Sequence, residues 1–272
     1  MRAVGIILAG GNNNRMKELT HKRAVAAMPI AGSYRSIDFA LSNMTNSHIQ
    51  KVAVLTQYNA RSLNEHLNSS KWWNFGRKQG GLYVFTPTIT NDNGYWYRGT
   101  ADAIYQNMDF LKKSHEPYVV IASGDAVYKM DYGKVLQYHI DKKVDVTVVC
   151  KEMDPSDDVS RFGTIRMDDD MRITEFEEKP MVTKSNMIST GIYVIRRRLL
   201  IDLIEHAAEE ERFDFVNDVL IRYKNLKRIY GYKIDSYWSN ISTVESYYKT
   251  NMDFLKPEIR NYFFKQEPAV KT

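Results

Sequence analysis

The fold of this chain of 272 residues is decided near its start, where it reads Val4-Gly5-Ile6-Ile7-Leu8-Ala9-Gly10-Gly11-Asn12-Asn13-Asn14-Arg15. The apolar run ending at Leu8 predicts a short buried strand. Paired glycines after a strand let backbone N–H groups approach phosphate oxygens, because no Cβ is in the way. Arg15 adds a forked positive charge for the same anion. The spacing matches neither the P-loop nor the dinucleotide fingerprint, so the loop alone indicates either a phosphate site or an ordinary tight turn.

Composition narrows the class of protein. Charged residues make up 26% of the chain and hydrophobic residues 43%, as in ordinary globular domains. The net charge of +5 suits anionic small molecules but is too low to indicate nucleic-acid binding. The one cysteine, Cys150, cannot form an internal disulfide and favours a reduced, cytoplasmic protein. The first apolar run is too short for a membrane span and lacks a signal-peptide cleavage pattern, so neither membrane insertion nor export is expected.

Apolar runs alternate with helical patterns along the chain, which predicts βαβ units and a largely parallel sheet. Strands are predicted at 51–56, 118–122, 144–150, 162–167, 172–176 and 188–195, and helices at 101–112, 198–210, 215–223 and 243–255. Thr100 and Ser242 are the expected N-caps of the first and last of these helices. No linker or repeat interrupts the pattern, so we expect one domain over 1–255 and a tail over 256–272.

Eight further motifs follow the order of one known family. They lie at residues 19–32, 34–39, 55–58, 96–103, 123–132, 161–163, 175–180 and 189–193. With the glycine loop they resemble the sugar-phosphate nucleotidyltransferases, and among these the glucose-1-phosphate adenylyltransferases. The resemblance implies an α/β, Rossmann-like nucleotidyltransferase fold with a mixed, mostly parallel sheet. That family continues into a C-terminal left-handed β-helix, so the expected tail leads toward a β-helix domain that is absent here, through truncation or as a natural short form.

The reaction of the family joins ATP to glucose 1-phosphate and gives ADP-glucose and pyrophosphate, chemistry that depends on positioning and charge stabilisation. Asp125 matches the first carboxylate that holds Mg²⁺ in the family; the alternative is an aspartate that merely closes a turn. The second carboxylate position is Asn240, whose neutral amide keeps an oxygen but loses the charge. The implied cofactor Mg²⁺ is therefore expected to bind weakly or not at all.

The resemblance also implies a nucleotide site. Its residues are Leu8, Ala9, Gly10, Gly11, Gln57, Gly99 and Thr100, with Arg15 and Asp125 as catalytic residues. For Gln57, Gly99 and Thr100 the alternative is a strand end and a helix cap. The loop departs from the family pattern, because Asn13 replaces a glycine and Val25 replaces the lysine that faces the phosphates. Val25→Lys with Asn240→Asp is expected to restore part of the activity without altering the fold.

The sugar-phosphate side keeps more of the family pattern. Lys179 matches the lysine that contacts the sugar phosphate, and the glucose pocket is matched by Gly163, Glu178, Ser189, Asp218 and Trp238. For Lys179 the alternative is an exposed charge at a strand end. For Trp238 the alternative is simple packing in the core.

This combination resembles the regulatory, GlgD-type subunit that some bacteria pair with a catalytic GlgC-type subunit in glycogen biosynthesis. The leading hypothesis is therefore a weakly or non-catalytic subunit that binds ATP and glucose 1-phosphate or ADP-glucose, and that is oligomeric when full length. The first alternative is a competent enzyme that uses Asp125 and Mg²⁺, with Arg15 as its only loop cation. The second is a scaffold without a ligand, which fits the altered loop but not the preserved sugar pocket.

Overall fold

The computed structural model describes residues 2–11, 14–68, 70–76, 80–89 and 94–272. The chain forms two compact units. The first unit comprises Val4–Thr88, Ala122–Tyr132 and Ser236–Thr272, and the second comprises Ile89–Ile121 and Gly133–Asp235 with the first residues of the chain. A single domain over 1–255 was expected. The segments of the two units alternate along the sequence, so no linker marks the division.

Strands and helices alternate over the first half of the chain, whereas four strands follow one another between residues 146 and 196. The strands are β1 (Ala3–Ala9), β2 (Pro29–Ile30), β3 (Tyr34–Arg35), β4 (Lys51–Thr56), β5 (Gly81–Phe85), β6 (Tyr118–Ser123), β7 (Ala126–Tyr128), β8 (Val146–Glu152), β9 (Gly163–Met167), β10 (Ile173–Glu178), β11 (Met187–Arg196), β12 (Ile229–Ile234) and β13 (Trp238–Asn240). The α-helices are α1 (Ser36–Asn46), α2 (Arg61–Leu67), α3 (Thr100–Gln106), α4 (Met108–Lys112), α5 (Tyr132–Asp141), α6 (Arg197–Glu209), α7 (Val244–Asp253) and α8 (Pro257–Arg260). Within the described ranges, no helix is both long and apolar enough to cross a bilayer.

The first unit contains a parallel sheet made of β1, β4 and β5. β1 pairs with β4 from Gly5 opposite Val52 to Ala9 opposite Thr56, and β4 pairs in parallel with β5. Almost every residue of β1 and β4 is buried, which explains their continuous apolar runs, because a parallel strand is covered on both faces. Two short antiparallel pairs, β2 with β3 and β7 with β13, complete the strands of this unit.

The segment 256–272, expected to be a tail, folds onto the first unit. Phe263 and Val270 are buried in an apolar cluster of that unit. The ammonium group of Lys129 donates to two backbone carbonyls of the segment, both at 2.6 Å. The indole N–H of Trp73 donates to the backbone carbonyl of the penultimate residue at 3.1 Å. The segment therefore contributes to the core of this unit.

The second unit contains a mixed sheet centred on β11. β11 runs antiparallel to β6, β8 and β9, β10 runs antiparallel to β9, and β12 runs parallel to β8. Helices α3, α4, α5 and α6 and a π-helix, Phe215–Ile221, belong to the same unit. The expected α/β class with a mixed sheet is confirmed.

Two predicted helix caps need correction. Thr100 is not the N-cap of its helix: it is the first residue of α3, and Gly99 precedes it as the cap. The predicted helix 101–112 is also divided at Asn107, between α3 and α4. Thr243, not Ser242, caps α7, because its side chain accepts a hydrogen bond from the N–H of Ser246. Adjacent Ser and Thr residues are both good caps, so the sequence alone does not choose between them.

Candidate functional site

The glycine loop lies at the carboxyl end of β1, beside the end of β4. Ala9 pairs with Thr56, the last residue of β4, so Gln57, which follows β4, reaches the loop. A Cβ built on Gly10 would lie 3.2 Å from the Cβ of Gln57, which is close enough to favour glycine. Gly11 is exposed and has open space around its Cα. The loop and Gln57 are thus brought together.

Arg15 stands near the start of a short 3-10 helix, Asn14–Thr20, and its side chain is exposed. Lys17 in the same segment has a φ of 50° and a ψ of −134°, a combination that is strained for any residue except glycine. Asn13, the predicted glycine replacement, lies outside the described residues. Arg15, the predicted cation of the glycine loop, is therefore on the surface, in a segment with a strained backbone at Lys17.

Three segments of the first unit meet at Gly124. Its N–H donates to the carbonyl of Leu8 at 2.9 Å. A Cβ on Gly124 would lie 3.2 Å from the Cβ of Ala26 and 3.3 Å from that of Ala9. Ala26 belongs to the short 3-10 helix Val25–Ala27. The glycine loop, this helix and the turn that carries the predicted metal ligand therefore form one compact group.

Asp125 and Asn240 are neighbours in this group. The hydroxyl of Ser123 donates to Asp125 Oδ1 at 2.5 Å, and the N–H of Ile241 donates to the Asp125 carbonyl at 3.0 Å. The amide nitrogen of Asn240 faces the same carbonyl at 3.4 Å, while its Oδ1 accepts from the N–H of Ser242 at 3.0 Å. Both ends of the Asn240 amide are therefore directed at the backbone.

This donor set does not fit the two-carboxylate Mg²⁺ site that the family implies. Asp125 supplies one anionic oxygen donor, but Asn240 supplies no charge, and its oxygen already accepts a backbone hydrogen bond. Among the described residues no group of three or more Asp, Glu, His or Cys side chains could hold a metal ion. Hard divalent cations bind through carboxylates and other oxygen ligands. With one carboxylate, the site has few of the ligands that Mg²⁺ requires.

Val25, at the predicted lysine position, is a core residue. It is 7% exposed and belongs to an apolar cluster of the first unit. The other buried members of that cluster are Met16, Met28, Ile30, Phe39, Val127, Ile241, Phe254, Phe263 and Val270. A valine packed in this way offers no charge to a phosphate, and a lysine there would have to bring its stem through apolar surroundings to reach water.

The predicted sugar-phosphate residues of the second unit begin at the hairpin of β9 and β10. Glu178 pairs with Gly163 across this hairpin, and a Cβ on Gly163 would lie 2.8 Å from Glu178 Oε2. Gly163 therefore makes room for the Glu178 carboxylate. Lys179 has a φ of 48° and its ammonium lies 3.1 Å from Glu178 Oε1. Non-glycine residues with a positive φ cluster at functional sites, and here one stands next to a partly buried carboxylate.

Two residues beside Glu178 were not identified from the sequence. Burial raises the pKa of Glu178; the Lys179 ammonium acts against this shift, and the Asp214 carboxylate adds to it. Burial also raises the pKa of Tyr193, to which the charges of Glu178 and Asp214 contribute. Ser189 Oγ lies 3.2 Å from the Tyr193 hydroxyl. Tyr193 lies in the family motif at residues 189–193 but was not singled out. For Asp214 the only indication in the sequence is its place before the predicted helix at 215–223.

Gly99, Thr100 and Asp218 contact a single turn of the second unit, residues 213–215. A Cβ on Gly99 would lie 2.3 Å from the carbonyl oxygen of Phe213. The hydroxyl of Thr100 accepts from a backbone N–H at the end of the turn at 2.9 Å. Asp218 Oδ2 accepts from two consecutive N–H groups of the turn at 3.0 and 2.8 Å. These three residues therefore have intramolecular partners in the second unit.

Trp238 belongs to the first unit, whereas Glu178, Lys179 and Ser189 belong to the second. It lies on β13 opposite Tyr128 and is 7% exposed. This burial is compatible with packing within its own unit, the alternative considered from the sequence, and the role of Trp238 in the glucose pocket stays a prediction.

Comparison of the sequence with known proteins identifies the family of this chain. The family model described as nucleotidyl transferase matches residues 4–257. A glucose-1-phosphate adenylyltransferase of Thermosipho melanesiensis is 41% identical over 256 residues, which cover 93% of this chain and 62% of the relative. That of Clostridium novyi is 42% identical over 255 residues, covering 93% and 66%. That of Bacillus thuringiensis is 41% identical over 260 residues, covering 94% and 69%.

The family match over residues 4–257 and the α/β fold place the chain in the nucleotidyl transferase family. Within that class, the chain belongs to the glucose-1-phosphate adenylyltransferase family. It spans 62% to 69% of the length of these relatives.

Proposed function

We propose that this protein is a regulatory, weakly or non-catalytic subunit of glucose-1-phosphate adenylyltransferase in bacterial glycogen biosynthesis. The observation that carries the proposal is the state of Asn240. Its amide oxygen accepts from Ser242 and its nitrogen faces the Asp125 carbonyl, so it acts as a backbone-binding residue where the family pattern has a second metal carboxylate.

Val25 supports the same conclusion from a different side of the group. Its side chain is packed among apolar residues, and the family pattern has a phosphate-facing lysine there. Removing one preorganised electrostatic stabiliser typically slows an enzyme about 10²- to 10³-fold. Two such losses around one phosphoryl transfer cost roughly 10⁴-fold or more, although effects of this kind are not additive.

The residues proposed to bind the sugar phosphate are better preserved. Glu178, Lys179, Ser189 and Tyr193 are connected by contacts of 3.1 and 3.2 Å and by the electrostatic influence of Glu178 on Tyr193. Carboxylates and hydroxyls are suited to sugar hydroxyl groups, and an ammonium suits a phosphate. A subunit that binds glucose 1-phosphate or ADP-glucose without fast turnover could transmit ligand occupancy to a catalytic GlgC-type partner.

The test is pyrophosphate release with saturating ATP, glucose 1-phosphate and Mg²⁺. The purified chain should stay near background, whereas a GlgC-type homologue should change its turnover or its apparent substrate affinity when the chain is added. Lys179→Ala should reduce the effect on the homologue. Lys184→Ala is the matched control, because Lys184 is an exposed lysine paired with Glu177. Turnover by the chain alone near 1 s⁻¹, at the low end of typical enzymes, would instead support the competent enzyme.

A further inference from the structure

Arg98 is an exposed residue whose guanidinium is nevertheless held in place by contacts that the proposed reaction does not explain. Its guanidinium carbon lies 3.8 Å from the centre of the Phe213 ring, and its NH2 lies 3.2 Å from Asp102 Oδ1. Asp102 is only 3% exposed. Its Oδ2 also accepts from the backbone N–H of Arg98 and from Gln106 Nε2, both at 2.9 Å. The buried carboxylate is therefore fully engaged in fixing Arg98 over Phe213.

The backbone on both sides of this pair is joined as well. The carbonyl of Phe213 accepts from the N–H of Ala101 at 2.7 Å and from that of Asp102 at 3.2 Å. These N–H groups are in the first turn of α3, where they have no partner within the helix. The approach is close because residue 99 is glycine, whose Cβ would lie 2.3 Å from the same oxygen. The Thr100 hydroxyl accepts from the N–H of Phe215 at 2.9 Å.

The turn that is held in this way carries two neighbours of the proposed sugar-phosphate site. Asp214 follows Phe213 directly, and its charge raises the pKa of Glu178. Phe215 packs edge-on against Tyr193, with ring centres 5.4 Å apart. A displacement of the turn would therefore move Asp214 relative to Glu178 and would leave the Tyr193 ring without its neighbour.

We propose that residues 98–102 form a positioning clamp for the turn 213–215, and that they act on sugar-phosphate binding through Asp214 and Phe215. The inference rests on the proposed function of that site. It gives Gly99 and Thr100 a role different from the nucleotide contacts expected from the sequence. The guanidinium of Arg98, the carboxylate of Asp102 and the N–H groups of α3 hold the turn together. The residues of the clamp are therefore positioning residues, not catalytic ones.

The experiment compares Arg98→Ala, Arg98→Lys, Thr100→Val and Thr100→Ser. The matched control is Arg61→Ala, because Arg61 forms an exposed ion pair with Glu65 at the same i, i+4 spacing. Calorimetry gives the Kd for glucose 1-phosphate and for ATP. Hydrogen exchange of the amides of Ala101, Asp102 and Phe215 reports on the clamp without any ligand. Thermal unfolding checks that each variant is folded.

Arg98→Ala should raise the Kd for glucose 1-phosphate about tenfold, equivalent to about 1.4 kcal/mol, and should speed exchange at the clamp amides. Arg98→Lys should recover part of the affinity, because it keeps a cation near the ring. Thr100→Ser should bind as the wild type does, whereas Thr100→Val should not. The Kd for ATP and the control variant should be unchanged.

Two results would overturn the clamp: faster exchange in Arg98→Ala with no change in sugar-phosphate affinity, or no change in either. A matching loss of ATP affinity would return Gly99 and Thr100 to the nucleotide site. The wild-type protein reports separately on the proposed function. If it binds no glucose 1-phosphate, the sugar-phosphate assignment fails, and with it the effect of the clamp on binding, even where exchange shows that the clamp exists.

Discussion

Replacing Asn240 with aspartate should make the stability of this protein depend on divalent cations. In the wild type the Asn240 nitrogen faces the Asp125 carbonyl at 3.4 Å, and Oδ1 accepts from Ser242. Asn240→Asp keeps the second interaction but turns the first into a contact between two oxygens. It also places a second negative charge beside the Asp125 carboxylate. Both changes disfavour the folded state unless a cation binds there.

The size of the effect follows from these contacts. One lost hydrogen bond costs about 0.5–1.5 kcal/mol, and the repulsion between two neighbouring, partly water-exposed negative charges adds about 1 kcal/mol. Without a divalent cation the variant should therefore be about 2 kcal/mol less stable than the wild type. A cation at ten times its Kd returns RT ln 11, which is about 1.4 kcal/mol. The wild type, with one carboxylate, should gain almost nothing from the same cation.

The assay is urea unfolding at pH 7, with Mg²⁺ and with excess chelator, at constant ionic strength. The free energy of unfolding of Asn240→Asp should rise with Mg²⁺ concentration and level off. Asn225→Asp is the control, because Asn225 is exposed in a turn of the second unit and its replacement adds the same charge. If the wild type responds to Mg²⁺ as strongly as the variant does, Asn240 is already a serviceable ligand and the argument from its hydrogen bonds fails.

Three further outcomes are expected. Burial lowers the pKa of His139 to about 4, which is below its value in the unfolded chain. The folded protein should therefore lose stability as the pH falls from about 6.5 to 4, by up to about 3 kcal/mol. Urea unfolding at pH 7 and at pH 5 should show a smaller loss of stability in His139→Gln than in the wild type. Lys17→Gly should raise the free energy of unfolding by about 1 kcal/mol by relieving the strained φ and ψ, whereas Lys17→Ala should not. Val25→Lys should lower the free energy of unfolding by about 2–4 kcal/mol, because a cation enters an apolar cluster. An unchanged free energy of unfolding would show that the lysine reaches water, and would favour this substitution as a way to restore activity.

Local patterns in the sequence were enough to find most strands. The run at 51–56 coincides with β4, because a strand covered on both faces shows itself as an uninterrupted apolar stretch. A common site for the glycine loop and Asp125 was implied only by the resemblance to the family, and the structure brings the two together at Gly124. Cap positions were less certain, because Ser242 and Thr243 have nearly equal capping preference, and only the backbone geometry selects Thr243.

Contacts between distant parts of the chain could not be predicted in the same way. The turn at Phe213 is more than 100 residues from Arg98 and Thr100, and one sequence contains no signal that pairs them. The same holds for Phe263 and Val270, which looked like part of a tail but are buried in the first unit. Their burial depends on which apolar surface the rest of the fold leaves open.

Two of the departures from the family pattern share a physical character that bears on their origin. At Val25 a position that would face phosphates has become part of an apolar cluster. At Asn240 a position that would face a cation has become a pair of contacts with the backbone. In each case the replacement side chain is well accommodated, so the local fold does not depend on substrate or metal. Active sites are commonly less stable than they could be, because charge and strain are kept there for catalysis. Packing and hydrogen bonds at these two positions, in place of charged groups, are what the proposed function of a binding subunit with little turnover predicts.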